Sequence, residues 1–95
     1  MAKNYEINQS FGLKEDVVYR IVGGEAIILD VARGEHFSLN KTGTEIFLDI
    51  VNNMSLNQIF EKQKKRYRKA PTLKQDIIDL IEELLKKKII ERRGT

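Results

Sequence analysis

His36 is the only histidine in the 95-residue chain, and the chain contains no cysteine. One imidazole cannot complete a zinc site, and thiolate ligands and disulfides are excluded outright. No serine–histidine–aspartate pattern surrounds His36, which reads as a half-exposed strand side chain. Asp76, Asp79 and Glu82 recur at i, i+3 spacing, but no histidine joins them, so they read as a solvated helix face. Gly23-Gly24 lacks the further glycines, the lysine and the hydroxyl residue with which a loop cradles phosphate. It is a hairpin turn. These residues predict a protein that is not an enzyme, needs no cofactor and no metal, and works by holding a partner.

One charged feature stands out. Lys62, Lys64, Lys65, Arg66, Arg68 and Lys69 fall within residues 62–69, and without these six the chain would carry 11 basic residues against 14 acidic ones. Such a cluster attracts phosphate or an acidic partner, or it is the solvated end of a helix. The sequence leaves both readings open.

The elements that position these residues follow from composition and periodicity. With 41% hydrophobic and 33% charged residues, the chain suits one small domain with a modest core. No apolar run approaches the roughly 20 residues that a membrane helix needs. The start, MAKNYEINQS, has no apolar signal segment, so a cytoplasmic protein away from membranes is expected. Residues 1–16 read as a flexible N-terminal arm with scattered apolar anchors at Tyr5, Ile7, Phe11 and Leu13. Residues 17–90 read as the folded domain. Residues 91–95 read as a frayed tail, with Ile89 and Ile90 tucked in before it.

Order is expected from Val17, where VVYRIV has the β-branched and aromatic content of a strand. Gly23-Gly24 supplies the positive φ of a tight hairpin. The next strand, residues 26–31, is apolar nearly throughout, which predicts burial on both faces or a central position. Arg33-Gly34-Glu35 turns the chain into a short third strand, residues 36–39. Three helices follow. Thr42 with Glu45, Ser55 with Gln58, and Thr72 with Gln75 each have capping-box spacing, and Asn40 competes with Thr42 for the first cap. Helix 1 runs to about Asn53 with Ile46, Phe47, Ile50, Val51 and Met54 on one side. Helix 2, about 56–68, offers only Leu56, Ile59, Phe60 and Tyr67, and Pro71 ends the segment behind it. Helix 3, about 73–88, is the most apolar, with Lys86, Lys87 and Lys88 complementing its C-terminal dipole. The fold class is α+β, a three-stranded antiparallel sheet followed by three helices.

At about 100° per residue, Leu73, Ile77, Leu80 and Leu84 form one stripe on helix 3, and Ile78, Ile81 and Leu85 form a second, further round. That arc is wider than one packing contact requires. Either helix 3 is sandwiched between two elements, or its second flank lines a groove.

Ile28-Leu29-Asp30, Gly34, Phe37-Ser38-Leu39-Asn40 and Thr42-Gly43, in this order and spacing, resemble the PqqD-type family. Ile59, Tyr67, Asp76-Ile77, the run from Leu80 to Leu84 and the closing Lys88-Ile89-Ile90 fit its second half. The resemblance spans residues 17–90. Lys88 departs from it, standing where a glycine is usual. It implies a winged helix-turn-helix-like domain that recognises the leader segment of a ribosomally made precursor peptide and presents it to modifying enzymes. It also implies a partner such as a radical SAM enzyme, as in pyrroloquinoline quinone formation, or a leader-cleaving protease, as in lasso-peptide systems. The leader would add as an antiparallel strand to the edge formed by Glu35, His36, Phe37, Ser38 and Leu39. Ile78, Ile81 and Leu85 would form an apolar floor, Phe37 or His36 the opposite wall according to parity, and Lys74 and Glu82 a charged rim.

Two rivals remain. Winged-helix domains also bind nucleic acid, but a reader needs a basic, polar recognition helix. Helix 3 is apolar and acidic over most of its length, and the basic cluster lies at the end of helix 2, so sequence-specific reading is disfavoured. The third reading is a homodimerisation module whose seam is the second stripe of helix 3. A monomer or weak dimer is expected.

Overall fold

The computed structural model describes residues 8–67 and 71–93. Tyr5 and Ile7 of the arm, Arg68 and Lys69 of the basic cluster, and the last two residues of the tail lie outside the described residues. The element order is β1 (Ser10–Leu13), β2 (Val17–Val22), β3 (Glu25–Asp30), β4 (Glu35–Ser38), α1 (Lys41–Val51), α2 (Leu56–Arg66), α3 (Leu73–Lys86) and β5 (Ile90–Arg93). The expected three-stranded antiparallel sheet is present in the order β2-β3-β4, and three helices follow it.

Turn chemistry sets the register of this sheet. Gly23 and Gly24 both have positive φ, 60° and 81°, as the two-residue turn between Val22 and Glu25 demands. At the next turn the buried Asp30 carboxylate accepts from the Arg33 N–H (3.1 Å), and the Gly34 N–H donates to the Asp30 carbonyl (2.9 Å). Gly34 again has positive φ, 68°. The Asp30 and Gly34 positions of the family pattern are thus the staple and the hinge of the β3–β4 turn.

Ala26, Ile28 and Asp30 of β3 face the helices and are buried, whereas Ile27, Leu29 and the following Val31 are exposed by 40%, 39% and 58%. Of the two expectations for this strand, the central position holds and burial on both faces does not. β3 is central in the sheet but covered on one side only, the side that packs on α1. Under that side, Tyr19 of β2 meets Phe47 of α1 edge to face, with centroids 5.1 Å apart. Phe47, Ile50, Ile59, Ile77, Ile81, Leu84 and Ile89 join Ile28 in one buried cluster. Full burial of each such side chain stabilises by roughly 1.5–3 kcal/mol.

The helix ends show which caps operate. Asn40, not Thr42, caps α1, its side chain accepting from the Gly43 N–H (2.8 Å). Glu45 is drawn away to Arg66 and to the Tyr67 hydroxyl. Ser55 and Gln58 form the expected capping box on α2. Thr72 is the N-cap of α3 but makes no capping hydrogen bond; its hydroxyl donates to Asp76, while Gln75 donates to Asp79. α1 and α3 end alike. Asn53 and Lys88 take left-handed φ values of 64° and 61°. Around each, a paired set of N–H donors closes the last turn: Asn53 to Ile50 and Met54 to Asp49, then Lys88 to Leu85 and Ile89 to Leu84. This is the Schellman arrangement, for which glycine is the usual residue.

A second sheet pairs β1 with β5, antiparallel, with Phe11 opposite Arg92 and Leu13 opposite Ile90. Phe11 is fully buried. The described part of the 1–16 segment is therefore packed, and the tail beyond Ile90 continues as a strand to Arg93. Neither strand shows clear alternation, so the pairing, rather than the local pattern, defines both. The Gln9 carbonyl also accepts from the Leu56 N–H (2.8 Å), which ties this ribbon to the start of α2.

Candidate functional site

β4 has one neighbour. It pairs with β3 in the register Ile27↔Ser38, Ile28↔Phe37, Leu29↔His36 and Asp30↔Glu35. No strand lies along its other edge among the described residues. In an antiparallel pair, the residues that exchange backbone hydrogen bonds alternate with those that do not. The ladder continues one residue beyond β4, where the Leu39 N–H donates to the Ala26 carbonyl (3.0 Å). Phe37 and Glu35 therefore bond inward to β3, and the N–H and C=O groups of His36 and Ser38 point out along the open edge.

Thr44 holds this geometry in place. Its buried hydroxyl accepts from the Ala26 N–H (2.7 Å) and donates to the Leu39 carbonyl (3.3 Å). One side chain of α1 thus clasps β3 to the residue that follows β4. Gly43 leaves room for the neighbouring cap, since a Cβ there would stand 3.2 Å from the Asn40 carboxamide oxygen. Asn40 and Gly43 of the family pattern start α1, and Thr44, the residue after that glycine, fixes the end of β4.

The register settles the parity of the edge strand. Phe37 shares the helix-facing side with Ile28, is half-buried, and packs against the core. His36 and Ser38 lie on the opposite, solvent-facing side with Leu29 and Ile27, and both are exposed, as is Glu35. Leu39 is half-buried and joins the core margin.

On α3 the buried direction bisects the two stripes. Ile77, Ile81 and Leu84 face the core, leaving Leu73 and Leu80 half-buried on one flank and Ile78, Glu82 and Leu85 half-buried on the other. Ile81, at 1% exposure, therefore lies beneath an apolar floor and offers no surface of its own. Ile78 and Leu85 remain as accessible floor residues, two turns apart. Lys74, one turn before Ile78, turns its ammonium toward α2, 5.5 Å from the ring centroid of Phe60. Lys87, at the C-cap of α3, stands 4.5 Å over the Phe37 ring and 3.8 Å from the Glu83 carboxylate. It is the residue that joins the end of α3 to the edge strand. In the sequence it is hidden inside a basic run that helix-dipole complementarity already accounts for.

The basic cluster is partly engaged within the domain. Lys62 lies 2.5 Å from Asp49, a side chain only 3% exposed, and Arg66 pairs with Glu45. Lys64 and Lys65 are exposed. Among the described residues, no group of histidine, aspartate and glutamate could hold a metal ion, and no helix is long and apolar enough to cross a membrane.

An open strand edge with its hydrogen-bonding groups outward defines a docking domain able to accept an extended polypeptide as a further strand. The family is the one anticipated from the strand, turn and cap residues. The chain belongs to the PqqD family: the model of coenzyme PQQ synthesis protein D matches residues 25–90, from the first residue of β3 to the first of β5. In fold it is similar to TbiB1, solved in complex with the TbiA(beta) leader peptide. The TM-score is 0.80 at 21% identity, over 88% of this chain and 99% of that one. Among curated proteins none matches the chain.

Proposed function

We propose that this protein binds the leader segment of a ribosomally synthesised precursor peptide and presents it to a modifying enzyme, without catalysing a step itself. The observation that carries the reading is the open edge of β4, where His36 and Ser38 turn their backbone groups outward and Lys87, at the end of α3, stands over the Phe37 ring. A leader strand added there would exchange hydrogen bonds with His36 and Ser38. Its alternate side chains would contact Phe37 and the half-buried Ile78, Glu82 and Leu85 flank of α3. Backbone pairing would supply affinity that depends little on leader sequence, and the side-chain contacts would supply register. Membership of the PqqD family and the leader-bound state of the similar TbiB1 support the same reading.

The enzyme that receives the leader would be a radical SAM enzyme or a leader protease, and the cytoplasm, where such peptides are made, would be the place of action. The engagement of Lys62 with Asp49 and of Arg66 with Glu45 favours this over nucleic-acid binding, since both side chains already have partners within the domain.

The test is a titration of isotopically labelled protein with the leader peptide encoded beside it. Amide resonances of residues 35–39 and 78–87 should move. Movement confined to residues 62–66, on adding leader or duplex DNA, refutes the assignment.

A further inference from the structure

Four of the large exposed hydrophobic side chains of the described residues share one face. Val18, Val22, Ile27 and Leu29 are exposed by 52%, 51%, 40% and 39%. The register β2–β3 puts Val18 beside Leu29 and Val22 beside Glu25, so these side chains share the outer face of the sheet, away from α1, whereas Tyr19 and Ile21 lie on the helix-facing side opposite Ile28 and Ala26. An antiparallel sheet with one solvated face normally alternates apolar-in with polar-out. This one is apolar on both faces, and a contiguous exposed patch of that kind marks an interaction surface.

We propose that this outer face is a homodimer interface, covered by the same face of a second copy of the chain. The argument for that occupant is charge. Only two charged side chains of opposite sign interrupt the patch on β2 and β3, Arg20 and Glu25. Arg20 is opposite Ile27 and Glu25 opposite Val22, which makes the two charges diagonal neighbours on adjacent strands. Neither takes an ion pair among the described residues. A two-fold axis passing between them sets Arg20 of each copy against Glu25 of the other, while the flanking Val18, Val22, Ile27 and Leu29 meet their counterparts. Isologous contacts of this kind require a patch complementary to itself, and a cation beside an anion in an apolar field meets that requirement. The seam therefore lies on the sheet rather than on the second stripe of α3, whose Ile78 and Leu85 stay free. Both β4 edges also remain open, so the inference does not depend on the leader reading.

Sedimentation velocity of the whole chain at rising concentration tests it. The wild type should pass from monomer to dimer. Arg20→Glu and Glu25→Arg should each raise the dissociation constant about ten-fold or more. The double variant Arg20→Glu/Glu25→Arg restores opposite charges across the axis and should return toward wild type. These positions are exposed, so folding is retained and circular dichroism verifies it. A wild type that stays monomeric at every concentration overturns the proposal, as does a double variant no tighter than its parents. Leader binding measured on Arg20→Glu separates the two readings, since Arg20 lies two strands from the β4 edge and that affinity should not change.

Discussion

Ser38→Pro probes the docking edge through the backbone alone. The Ser38 N–H points along the open edge of β4, so proline at this position removes no bond to β3, and edge strands tolerate proline where the N–H faces solvent. Phe37, one residue earlier, bonds to Ile28 across the ladder, and its side chain is part of the core margin. If a leader adds to β4, Ser38→Pro removes one N–H···O bond, worth about 0.5–1.5 kcal/mol net. It also leaves a leader carbonyl facing a ring, at a further cost of order 1 kcal/mol or more. The sum of about 1–3 kcal/mol predicts leader binding roughly 5- to 150-fold weaker, while the urea midpoint changes little. Ser38→Ala is the control. It deletes an exposed hydroxyl on the outer face and keeps the backbone donor, so its affinity should match wild type. Isothermal titration with the leader reads both variants. Wild-type affinity in a folded Ser38→Pro protein would refute the strand-addition geometry, and a loss in Ser38→Ala equal to that in Ser38→Pro would move recognition from backbone to side chain.

Three further substitutions test how the edge and the helices beneath it are held. Thr44→Val keeps the shape of the clasp but strands the buried Ala26 N–H, and should cost about 1–3 kcal/mol in denaturant unfolding; a loss below 0.5 kcal/mol would show the clasp to be incidental. Lys88→Gly relieves a left-handed φ of 61°. Allowing for the greater freedom of glycine in the unfolded chain, it should stabilise by about 0.5–1 kcal/mol, or roughly 2–8 °C in Tm, while Lys88→Ala, which keeps the strain, should gain nothing. Lys62→Met leaves the Asp49 carboxylate buried without its cation. Because the Lys62 side chain is 46% exposed, the penalty should fall below that of a fully buried pair, at about 1–3 kcal/mol by thermal or urea unfolding.

Much of the architecture was legible because local signals agreed. Gly23-Gly24 and Gly34 mark two turns that need positive φ, Ser55 and Gln58 mark a helix start, and apolar spacing marks three helices. What stayed hidden depended on contacts between segments far apart in the chain. Phe11 and Ile90 belong to short strands that pair with each other across nearly the whole sequence, and four residues without alternation carry no signal of that pairing. On α3 a helical wheel shows two stripes without saying which is covered. The direction of burial is set by α2 and β5, and it falls between the stripes, taking Ile81 into the core and leaving Ile78 and Leu85 at the surface.

The edge strand shows the same limit most sharply. In Glu35-His36-Phe37-Ser38, alternation alone permits either His36 or Phe37 to face the helices. Only the register against β3 decides it, and the Thr44 hydroxyl holds that register by tying the Ala26 N–H to the Leu39 carbonyl. A threonine near the start of a helix thus determines which two residues turn their backbone outward. Of the residues that carried the resemblance to a peptide-binding family, Asp30, Gly34, Asn40 and Gly43 are turn and cap residues. They build an open edge of defined parity, and Phe37, Ser38 and Leu39 of the same pattern are that edge itself. Turn and cap chemistry is local and therefore legible in the sequence, whereas the direction in which each edge residue points depends on pairing with β3.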